Sequence, residues 1–394
     1  MTSPAADSGE PSHEAVARAC LTAVVPPADP LLGALLAERG AAAVWRALLA
    51  GESLRSGTGD APDPARVERW RSRAAALDAE TLLTSAADLG VRLVTPGDPE
   101  WPVQLDQLAE NRPYALWVRG THDLRNACLR SVAMVGSRAA TGYGLHVAGE
   151  LACALAERSW CAVSGGAYGI DAASHRGALA GGAPTVAVLA CGLDMNYPRG
   201  HENLFGDVCA RGTLVSEHPL GTRPTRHGFL VRNRLIAALT PGTIVVEAGR
   251  RSGALNTAKH TLELCRALMA VPGPITSALS AGCHQLLRDH RAVCVTGADD
   301  VAELVGHIGA DLRSDGTAGP PPTQLDDEAR RVLAGVPRGS GAGAATIALA
   351  AETGIDSALR CLGLLAAAGF VERGPAGWRR SDASRAQATG RVPL

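Results

Sequence analysis

Hydrophobic and polar residues follow different periods in different parts of the chain, and these periods divide it into regions. Residues 1–88 are rich in Ala, Leu and Arg, and their apolar positions recur at helical spacing on both sides of a Gly/Pro/Asp break. This spacing predicts a small helical domain over residues 1–88. The following segment, up to about residue 120, contains four prolines and is typical of a short strand, a loop and a second strand.

Short β-branched runs alternate with helix-length segments from about residue 130 to residue 308. The strand-like runs are VAMVG, CAVSGG, TVAVLACG, TLVSE, TIVVEAG, ALMAVPG and AVCVTG. Nearly continuous hydrophobicity in strands that are joined by crossover helices predicts a parallel sheet buried on both faces. The sequence therefore predicts an α/β domain over residues 89–310.

The C-terminal region is predicted to contain a linker and a second small domain. Residues 311–325 include SDGTAGPPPTQ, which has the composition of a Pro/Gly linker. Residues 326–382 show a helix, a turn at Gly354, another helix and a Gly-Pro hairpin, which is the layout of a winged helix. Residues 383–394 are expected to form a mobile tail.

The composition restricts the class of protein. Of the 394 residues, 46% are hydrophobic and 20% are charged, and these fractions are typical of globular domains. No apolar run approaches the roughly 18 residues of a membrane span, and the polar N-terminus lacks the apolar segment of a signal peptide. A cytoplasmic protein of two or three domains is expected. The ten cysteines include no CxxC pair, so buried reduced thiols are expected rather than disulfides or a metal site.

The distribution of charge is more informative than the net charge of −1. Residues 219–259 contain seven Arg and Lys residues against a single acid, Glu247, whereas residues 299–328 contain eight acids against one arginine. A basic segment in a nearly neutral protein is a candidate phosphate-binding surface. A solvated surface without a ligand is the alternative.

Small and polar residues follow the predicted strands at their carboxyl ends. In an open parallel sheet these ends share one edge, and ligands bind there. Backbone N–H groups of Gly and Ser can approach an anion closely, and helix N-termini add partial positive charge. The segments at this edge are Gly136-Ser137-Arg138, Ser164-Gly165-Gly166 and Ser252-Gly253.

Structural roles compete with ligand binding at several charged positions. Arg232 and Arg234 could bind a phosphate, or they could pair with Glu217 and Glu247. Lys259 is the only lysine in the chain, and a solvated helix face is its default environment. The positions of these charges therefore leave both interpretations open.

Catalytic motifs are absent from the sequence. It contains no GxxxxGK[ST], GxSxG or GxGxxG segment, which excludes the usual signatures of nucleotide hydrolases, serine hydrolases and dinucleotide-binding proteins. Asp171 stands at a predicted helix start, where capping the helix is a sufficient role. Glu247 ends a strand and is expected to order the loop that follows it.

Eight motifs follow one another between about residues 90 and 308. They are VGSR, SGGAYGID, GLDMNYP, SEHPLG, RNRLIAALT, VVEAGRRSGALNTA, AVPG and GCHQLL. Together they resemble the DNA-processing protein A family, also called DprA or Smf. The resemblance implies an extended Rossmann domain preceded by a SAM-like helical domain. It also implies a homodimer and a mediator that binds and protects single-stranded DNA and loads the RecA recombinase during natural transformation. It implies no catalytic activity and no cofactor or metal.

The resemblance also implies which residues hold DNA. The implied phosphate-binding residues are Gly136, Ser137, Arg138, Ser164, Gly165, Gly166, Arg232, Asn233, Arg234, Ser252, Gly253, Thr257 and Lys259. Gly136, Ser137 and Arg138 would hold a phosphate, and Ser164, Gly165 and Gly166 would line the same pocket with backbone donors. Arg232, Asn233 and Arg234 would form a basic wall. Ser252, Gly253 and Thr257 would belong to a phosphate-facing helix start, and Lys259 follows on the same helix.

The chain departs from the family pattern at several positions. SGGAYGID has Tyr168 where the family often has Arg, and GCHQLL has His284 where Asn is common. The N-terminal region lacks the paired glycines of a helix-hairpin-helix, so its sequence supports no DNA role. The predicted recognition helix contains only Arg360 as a basic residue, so we expect the winged helix to pack against protein or against its own domain. Because the chain has only 13 aromatic residues, base stacking is expected to contribute little.

A nucleotide-binding enzyme, such as a nucleoside monophosphate phosphoribohydrolase, is the alternative function. Ser252-Gly253, Thr257 and Glu263 loosely match its glycine-rich strand end, Thr and helix Glu. The Pro-Gly-Gly-x-Gly-Thr run of such enzymes is missing.

Overall fold

The computed structural model describes residues 12–57, 62–306, 327–337, 341–367, 370–374 and 377–380. The chain divides into two compact units, Met1–Leu312 and Arg313–Leu394. The predicted linker, residues 311–325, and the predicted tail, residues 383–394, lie outside the described residues.

Five helices form the N-terminal part of the first unit. They are α1 (His13–Val24), α2 (Pro30–Arg39), α3 (Ala41–Ala50), α4 (Pro64–Ala75) and α5 (Ala79–Asp88). Asp29, Asp63 and Asp78 accept hydrogen bonds from first-turn N–H groups of α2, α4 and α5. Tyr114 joins this bundle to the rest of the unit, because its hydroxyl donates to the Pro26 carbonyl at 2.7 Å. The helices predicted over residues 1–88 therefore belong to the same compact unit as the sheet.

A nine-stranded sheet forms the centre of the first unit. Its strands are β1 (Val91–Val94), β2 (Leu116–Gly120), β3 (Ser131–Gly136), β4 (Cys161–Ser164), β5 (Thr185–Leu189), β6 (Thr213–Ser216), β7 (Gly242–Glu247), β8 (Ala267–Ala270) and β9 (Val293–Cys294). Their order is β1-β2-β6-β5-β4-β3-β7-β8-β9. The pairs from β6 to β9 are parallel, as predicted. The earlier strands β1 and β2 extend this sheet in antiparallel orientation at one edge.

Helices cover both faces of the sheet. They are α6 (Leu124–Leu129), α7 (Gly142–Ala156), α8 (Ile170–Ala180), α9 (Glu202–Arg211), α10 (Arg226–Ala238), α11 (Ala254–Glu263), α12 (Ala281–Arg288) and α13 (Ala298–Val305). Successive residues of β3 belong to opposite faces: Val132 and Met134 pack in one apolar cluster, whereas Ala133 and Val135 pack in another. This two-sided burial accounts for the continuous hydrophobic runs in the sequence.

The described residues of the second unit form three helices and a hairpin. They are α14 (Asp327–Gly335), α15 (Ala344–Ala350), α16 (Ile355–Ala367), β10 (Val371–Gly374) and the antiparallel β11 (Gly377–Arg380). Val332, Ile347, Leu362 and Val371 are buried in its core. The hairpin follows the helices as the sequence indicates, and the assignment of this unit as a winged helix stays a prediction.

Two further expectations from the composition concern the membrane and the cysteines. Among the described residues, no helix is both long and apolar enough to cross a membrane. All ten cysteines are free thiols. The expectation of burial is wrong for Cys265 and Cys294, because both are exposed.

His175 is a buried, neutral histidine on α8. Its Nδ1 lies 2.8 Å from the Thr185 hydroxyl, and that hydroxyl donates its own proton to the Ala162 carbonyl at 2.6 Å. The Nδ1 atom must therefore be the donor, which leaves Nε2 as a buried acceptor without a partner. Burial is the main cause that lowers the pKa of His175 to about 3, with smaller contributions from nearby His201 and Arg232.

We expect His175 to make the protein less stable as the pH falls below neutrality. Between an unfolded pKa near 6.5 and the folded value, the unfolded chain binds more protons, so acid favours unfolding. This residue contributes up to about 1.4 kcal/mol per pH unit in that window. Urea unfolding between pH 7 and pH 4 measures the free energy of unfolding of the wild type and of His175→Gln. The difference, wild type minus variant, should therefore decrease as the pH falls. The exposed His146→Gln provides the control, and an equal decline in both comparisons would contradict the prediction.

Candidate functional site

A cavity of about 610 Å³, which we call the first cavity, opens at the carboxyl ends of β3 and β7. The loops after these strands and the facing sides of α10 and α11 enclose it. Its lining residues are Val135, Gly136, Ser137, Arg138, Ala139, Ala167, Asp171, Arg226, Phe229, Leu230, Arg232, Asn233, Ile236, Gly249, Arg251, Ser252, Gly253, Ala254, Thr257 and Leu279. The cavity thus lies at the sheet edge where the sequence predicts ligand binding.

Eight of the thirteen predicted site residues line the first cavity. They are Gly136, Ser137, Arg138, Arg232, Asn233, Ser252, Gly253 and Thr257. The structure places the other five elsewhere, and these are Ser164, Gly165, Gly166, Arg234 and Lys259.

The loop after β3 is held against β7 by hydrogen bonds to Glu247. The Ser137 backbone N–H donates to the Glu247 carbonyl at 2.7 Å. The buried Glu247 carboxylate accepts from the Thr141 backbone N–H at 2.8 Å and from its hydroxyl at 2.7 Å. Glu247 therefore orders the loop after β3, whereas the sequence analysis assigned it to the loop after its own strand. A side chain at Gly136 would stand 2.4 Å from Ile170 Cγ1, so only glycine fits there.

Arg232 places a buried positive charge at the base of the first cavity. Its residue is 5% exposed, and its guanidinium donates to the carbonyls of Gly165, at 2.8 Å, and Val188. Burial lowers the pKa of Arg232 to about 10, and the charge of Asp171 opposes this shift. The side chain therefore stays protonated at neutral pH. Arg232 lies in the middle of α10.

Asp171 is the buried acid that faces this arginine. Its carboxylate accepts from the backbone N–H groups of Gly165, at 3.2 Å, and Ala167, at 3.3 Å. Burial raises the pKa of Asp171, and the Arg232 charge and these two hydrogen bonds oppose the rise. Asp171 is the second residue of α8, whose N-cap is Gly169. The bonds that its carboxylate accepts come from the loop after β4 and not from the first turn of α8, so the capping role expected from the sequence is wrong.

Three exposed arginines surround the first cavity. Arg138, Arg226 and Arg251 all line it, and Arg138 lies over the Phe229 ring at 4.8 Å from the centroid. Within the described residues none of the three forms an ion pair with a carboxylate. Free guanidinium groups around a concave surface favour an anionic ligand such as phosphate.

Asn233 and Ser252 shape the α11 side of the first cavity. The Asn233 side-chain amide donates to Asn256 Oδ1 at 3.2 Å and to the Gly253 carbonyl at 3.4 Å. The Ser252 hydroxyl accepts from the Ala254 backbone N–H at 3.3 Å. These contacts fix the beginning of α11, so Asn233 acts on the site through the loop as well as by lining it.

Arg234 is in an ion pair and Lys259 is on a solvated helix face, which are the alternatives to phosphate binding that the sequence left open. Arg234 forms a buried bidentate ion pair with Glu217, with both N–O distances at 2.6 Å. Lys259 has a 71% exposed side chain and lies 3.5 Å from Glu263. Neither cation reaches the first cavity. Glu263 lies outside it as well, so the residue set of the alternative enzyme does not assemble there.

Ser164, Gly165 and Gly166, at the end of β4 and the start of its loop, lie behind the first cavity, whereas Ala167 of the same loop lines it. The Ser164 hydroxyl donates to the Met134 carbonyl at 2.6 Å, which joins β4 to β3. A Cβ on Gly165 would stand 2.5 Å from the Arg232 guanidinium, and one on Gly166 would stand 2.8 Å from Phe205. Gly165 and Gly166 therefore leave room for the side chains of Arg232 and Phe205 rather than for a ligand.

The sequence analysis did not assign Arg226, Phe229 or Arg251 to the site. Both arginines belong to the basic segment 219–259, so the charge pattern was the signal for them. Phe229 had no signal, because an aromatic residue on an apolar helix is usually part of the core. Among the described residues, no group of three or more His, Cys, Asp or Glu could hold a metal ion.

A mostly parallel α/β sheet with a basic cavity at its carboxyl edge defines a Rossmann-like protein that is suited to phosphate groups. The family model for DNA recombination-mediator protein A matches residues 92–306. The chain therefore belongs to the DNA recombination-mediator protein A family.

Individual relatives agree with this assignment. The chain is 46% identical over 316 residues to a putative DNA processing protein DprA of Mycobacterium tuberculosis, covering 76% of this chain and 80% of the relative. It is 37% identical over 207 residues to the DNA processing protein DprA of Streptococcus pneumoniae, covering 52% and 72%. An X-ray structure of DprA from Streptococcus pneumoniae superposes with a TM-score of 0.62 at 27% identity, covering 75% of this chain and 98% of that one.

Proposed function

We propose that this protein binds single-stranded DNA in the first cavity, protects incoming DNA, and loads RecA onto it during natural transformation. The main support is the set of Arg138, Arg226 and Arg251, three exposed guanidiniums around a cavity with the buried Arg232 charge at its base. The relatives are named for DNA processing, which makes DNA the expected polyanion. We also propose a cytoplasmic homodimer that needs no cofactor and catalyses no reaction.

The shape of the first cavity favours a single strand over a duplex. A flexible backbone can bend a phosphate into a concave site, whereas duplex DNA is stiff over this distance. Phe229 lines the first cavity, and its ring lies 5.6 Å from that of Tyr197. We propose that these rings are available to bases despite the low aromatic content. Stacking on them would add affinity with little dependence on sequence.

We propose that the winged helix binds a protein partner rather than DNA. Arg360, the only basic residue of α16, lies 3.2 Å from Glu328 and is engaged in an ion pair. Ile355, Leu359 and Leu364 of the same helix are exposed. An apolar helix surface without free basic residues is unsuited to a DNA groove. For the helices of the predicted SAM-like domain we propose a packing role against β1 and β2.

The experiment that tests the proposed function compares single-stranded and duplex oligonucleotides of equal length in fluorescence anisotropy titrations. We expect at least tenfold tighter binding of the single strand, because only it can enter the first cavity. A second assay measures strand exchange by RecA on DNA coated with a single-strand-binding protein, where adding this protein should accelerate the reaction. Equal affinity for both forms of DNA would refute the binding proposal, and unchanged strand exchange would refute RecA loading.

A further inference from the structure

A second cavity of about 330 Å³ adjoins the first. Arg138 and Ala139 line both, so the two cavities meet at the loop after β3. A strand that leaves the first cavity past Arg138 would therefore enter the second cavity directly. Nothing in the proposed function uses this second cavity.

The electrostatics of the second cavity favour an anion. Arg138 and Arg176 both line it, and none of the described acidic residues does. Arg176 is exposed on α8 and forms no ion pair within the part of the chain that the structure describes. A guanidinium without a carboxylate partner in a basic cavity is available to a phosphate.

An aromatic ring is fixed at the wall of the second cavity. Tyr168 is 49% exposed, and the His201 ring contacts it edge-on with a centroid distance of 4.6 Å. His201 is itself held in place, because its Nδ1 hydrogen-bonds with the Gly166 carbonyl at 3.0 Å. Its ring also packs edge-on against Phe205. The Tyr168 ring is therefore both accessible and supported from behind.

Gly200 leaves room for this ring. A Cβ at position 200 would stand 2.8 Å from the Tyr168 hydroxyl oxygen, which is closer than such contacts allow. Gly200 lines the second cavity together with Tyr168. The chain thus keeps the space around the ring open at the point where a base could approach.

We propose that the second cavity is a nucleotide subsite for single-stranded DNA. The base of the nucleotide next to the phosphate in the first cavity stacks on Tyr168, and its phosphate binds Arg176. This inference rests on the proposed function. An aromatic ring beside a free cation suits one nucleotide unit of any sequence, because every base has a π face.

The test uses the full-length chain and short oligothymidylates of increasing length, with anisotropy as the readout. Tyr168→Ala should weaken binding of the longer oligonucleotides by about 5- to 100-fold, the range for the loss of one base–aromatic stack. The shortest oligonucleotides, which reach only the first cavity, should bind equally well. Tyr168→Phe should retain wild-type affinity, because it keeps the ring. Tyr143→Ala removes an exposed tyrosine outside both cavities and should have no effect.

Abasic substitution separates stacking from a general loss of binding. An abasic residue is placed at each position of a short oligonucleotide in turn. At one position it should weaken binding to the wild type but not to Tyr168→Ala, because the stack is already lost. Arg176→Ala should reduce the slope of log K against log salt by about 0.7, the value for one phosphate on a single strand. The exposed Arg69→Ala is its matched control.

The possible outcomes distinguish this subsite from the proposed function. If the wild type binds single strands through Arg138 while Tyr168→Ala and Arg176→Ala bind every length normally, the subsite is refuted and the proposed function stands. Equal losses in Tyr168→Phe and Tyr168→Ala would refute the stacking contact. If the wild type binds no single-stranded DNA, both proposals are refuted.

Discussion

Arg234→Met is expected to lower the free energy of unfolding by about 3–5 kcal/mol, because it leaves the Glu217 carboxylate buried without its cation. Glu217 is 5% exposed, and its carboxylate accepts hydrogen bonds from both terminal guanidinium nitrogens of Arg234, each at 2.6 Å. The Asn111 carbonyl, which accepts from Arg234 Nε at 3.0 Å, loses its donor as well. Urea unfolding followed by circular dichroism measures the loss.

The double variant Arg234→Met/Glu217→Met provides the control for this prediction. With both charges removed, no buried ion is left unpaired, and most of the lost stability should return. A structural ion pair also predicts that the folded Arg234→Met protein keeps its DNA affinity. If Arg234→Met unfolds like the wild type but binds DNA more weakly, Arg234 contacts the ligand and the structural assignment is wrong.

The contrast between Arg232 and Arg234 shows where sequence reasoning reaches its limit. Both arginines stand in RNRLIAALT, and the sequence left phosphate binding or pairing with Glu217 and Glu247 open for each. Arg234 pairs with Glu217, whereas Arg232 turns toward Asp171 and the carbonyls behind the first cavity. Two residues along a helix point about 200° apart, and only the packed structure shows what lies in each direction.

The strands of the sheet were predictable for a simple reason. A strand that is buried on both faces must be apolar along its whole length, so runs such as VAMVG and TIVVEAG mark it directly. The carboxyl edge of the sheet then follows from the parallel arrangement, and Gly136-Ser137-Arg138 and Ser252-Gly253 do line the first cavity. The antiparallel pairing of β2 with β1 and β6 was not predictable, because strand runs carry no signal of direction.

Some residues have roles that the sequence did not indicate, because these roles depend on contacts between distant parts of the chain. Gly165 looked like a phosphate-binding glycine, but its missing side chain makes room for the Arg232 guanidinium, 67 positions later in the sequence. Tyr168 and Phe229 are far apart in sequence, and both lie beside the Arg138 loop only because α8 and α10 approach it. Two of the 13 aromatic residues, Phe229 and Tyr168, line the first and second cavities, a placement that composition alone does not indicate.

The triple variant Arg138→Ala/Arg226→Ala/Arg251→Ala is expected to lose at least about 100-fold in affinity for single-stranded DNA at physiological salt. Each guanidinium can form charge-assisted hydrogen bonds worth roughly 1.5–3 kcal/mol, and their losses are only partly additive. Among the described residues none of these side chains forms an ion pair, and all three are exposed, so the variant should fold like the wild type. Anisotropy titrations at several salt concentrations measure the effect.

The salt dependence identifies phosphate contacts as the cause of this loss. If each arginine neutralises one phosphate, the slope of log K against log salt should become shallower by about 2, at roughly 0.7 per phosphate on a single strand. The control Arg46→Ala/Arg69→Ala/Arg291→Ala removes the same charge from exposed positions outside the first cavity. If the two triple variants lose affinity and slope equally, net charge rather than the first cavity attracts the DNA. A large loss confined to the first variant, with the shallower slope, can arise only if the DNA phosphates bind at the edge of the sheet.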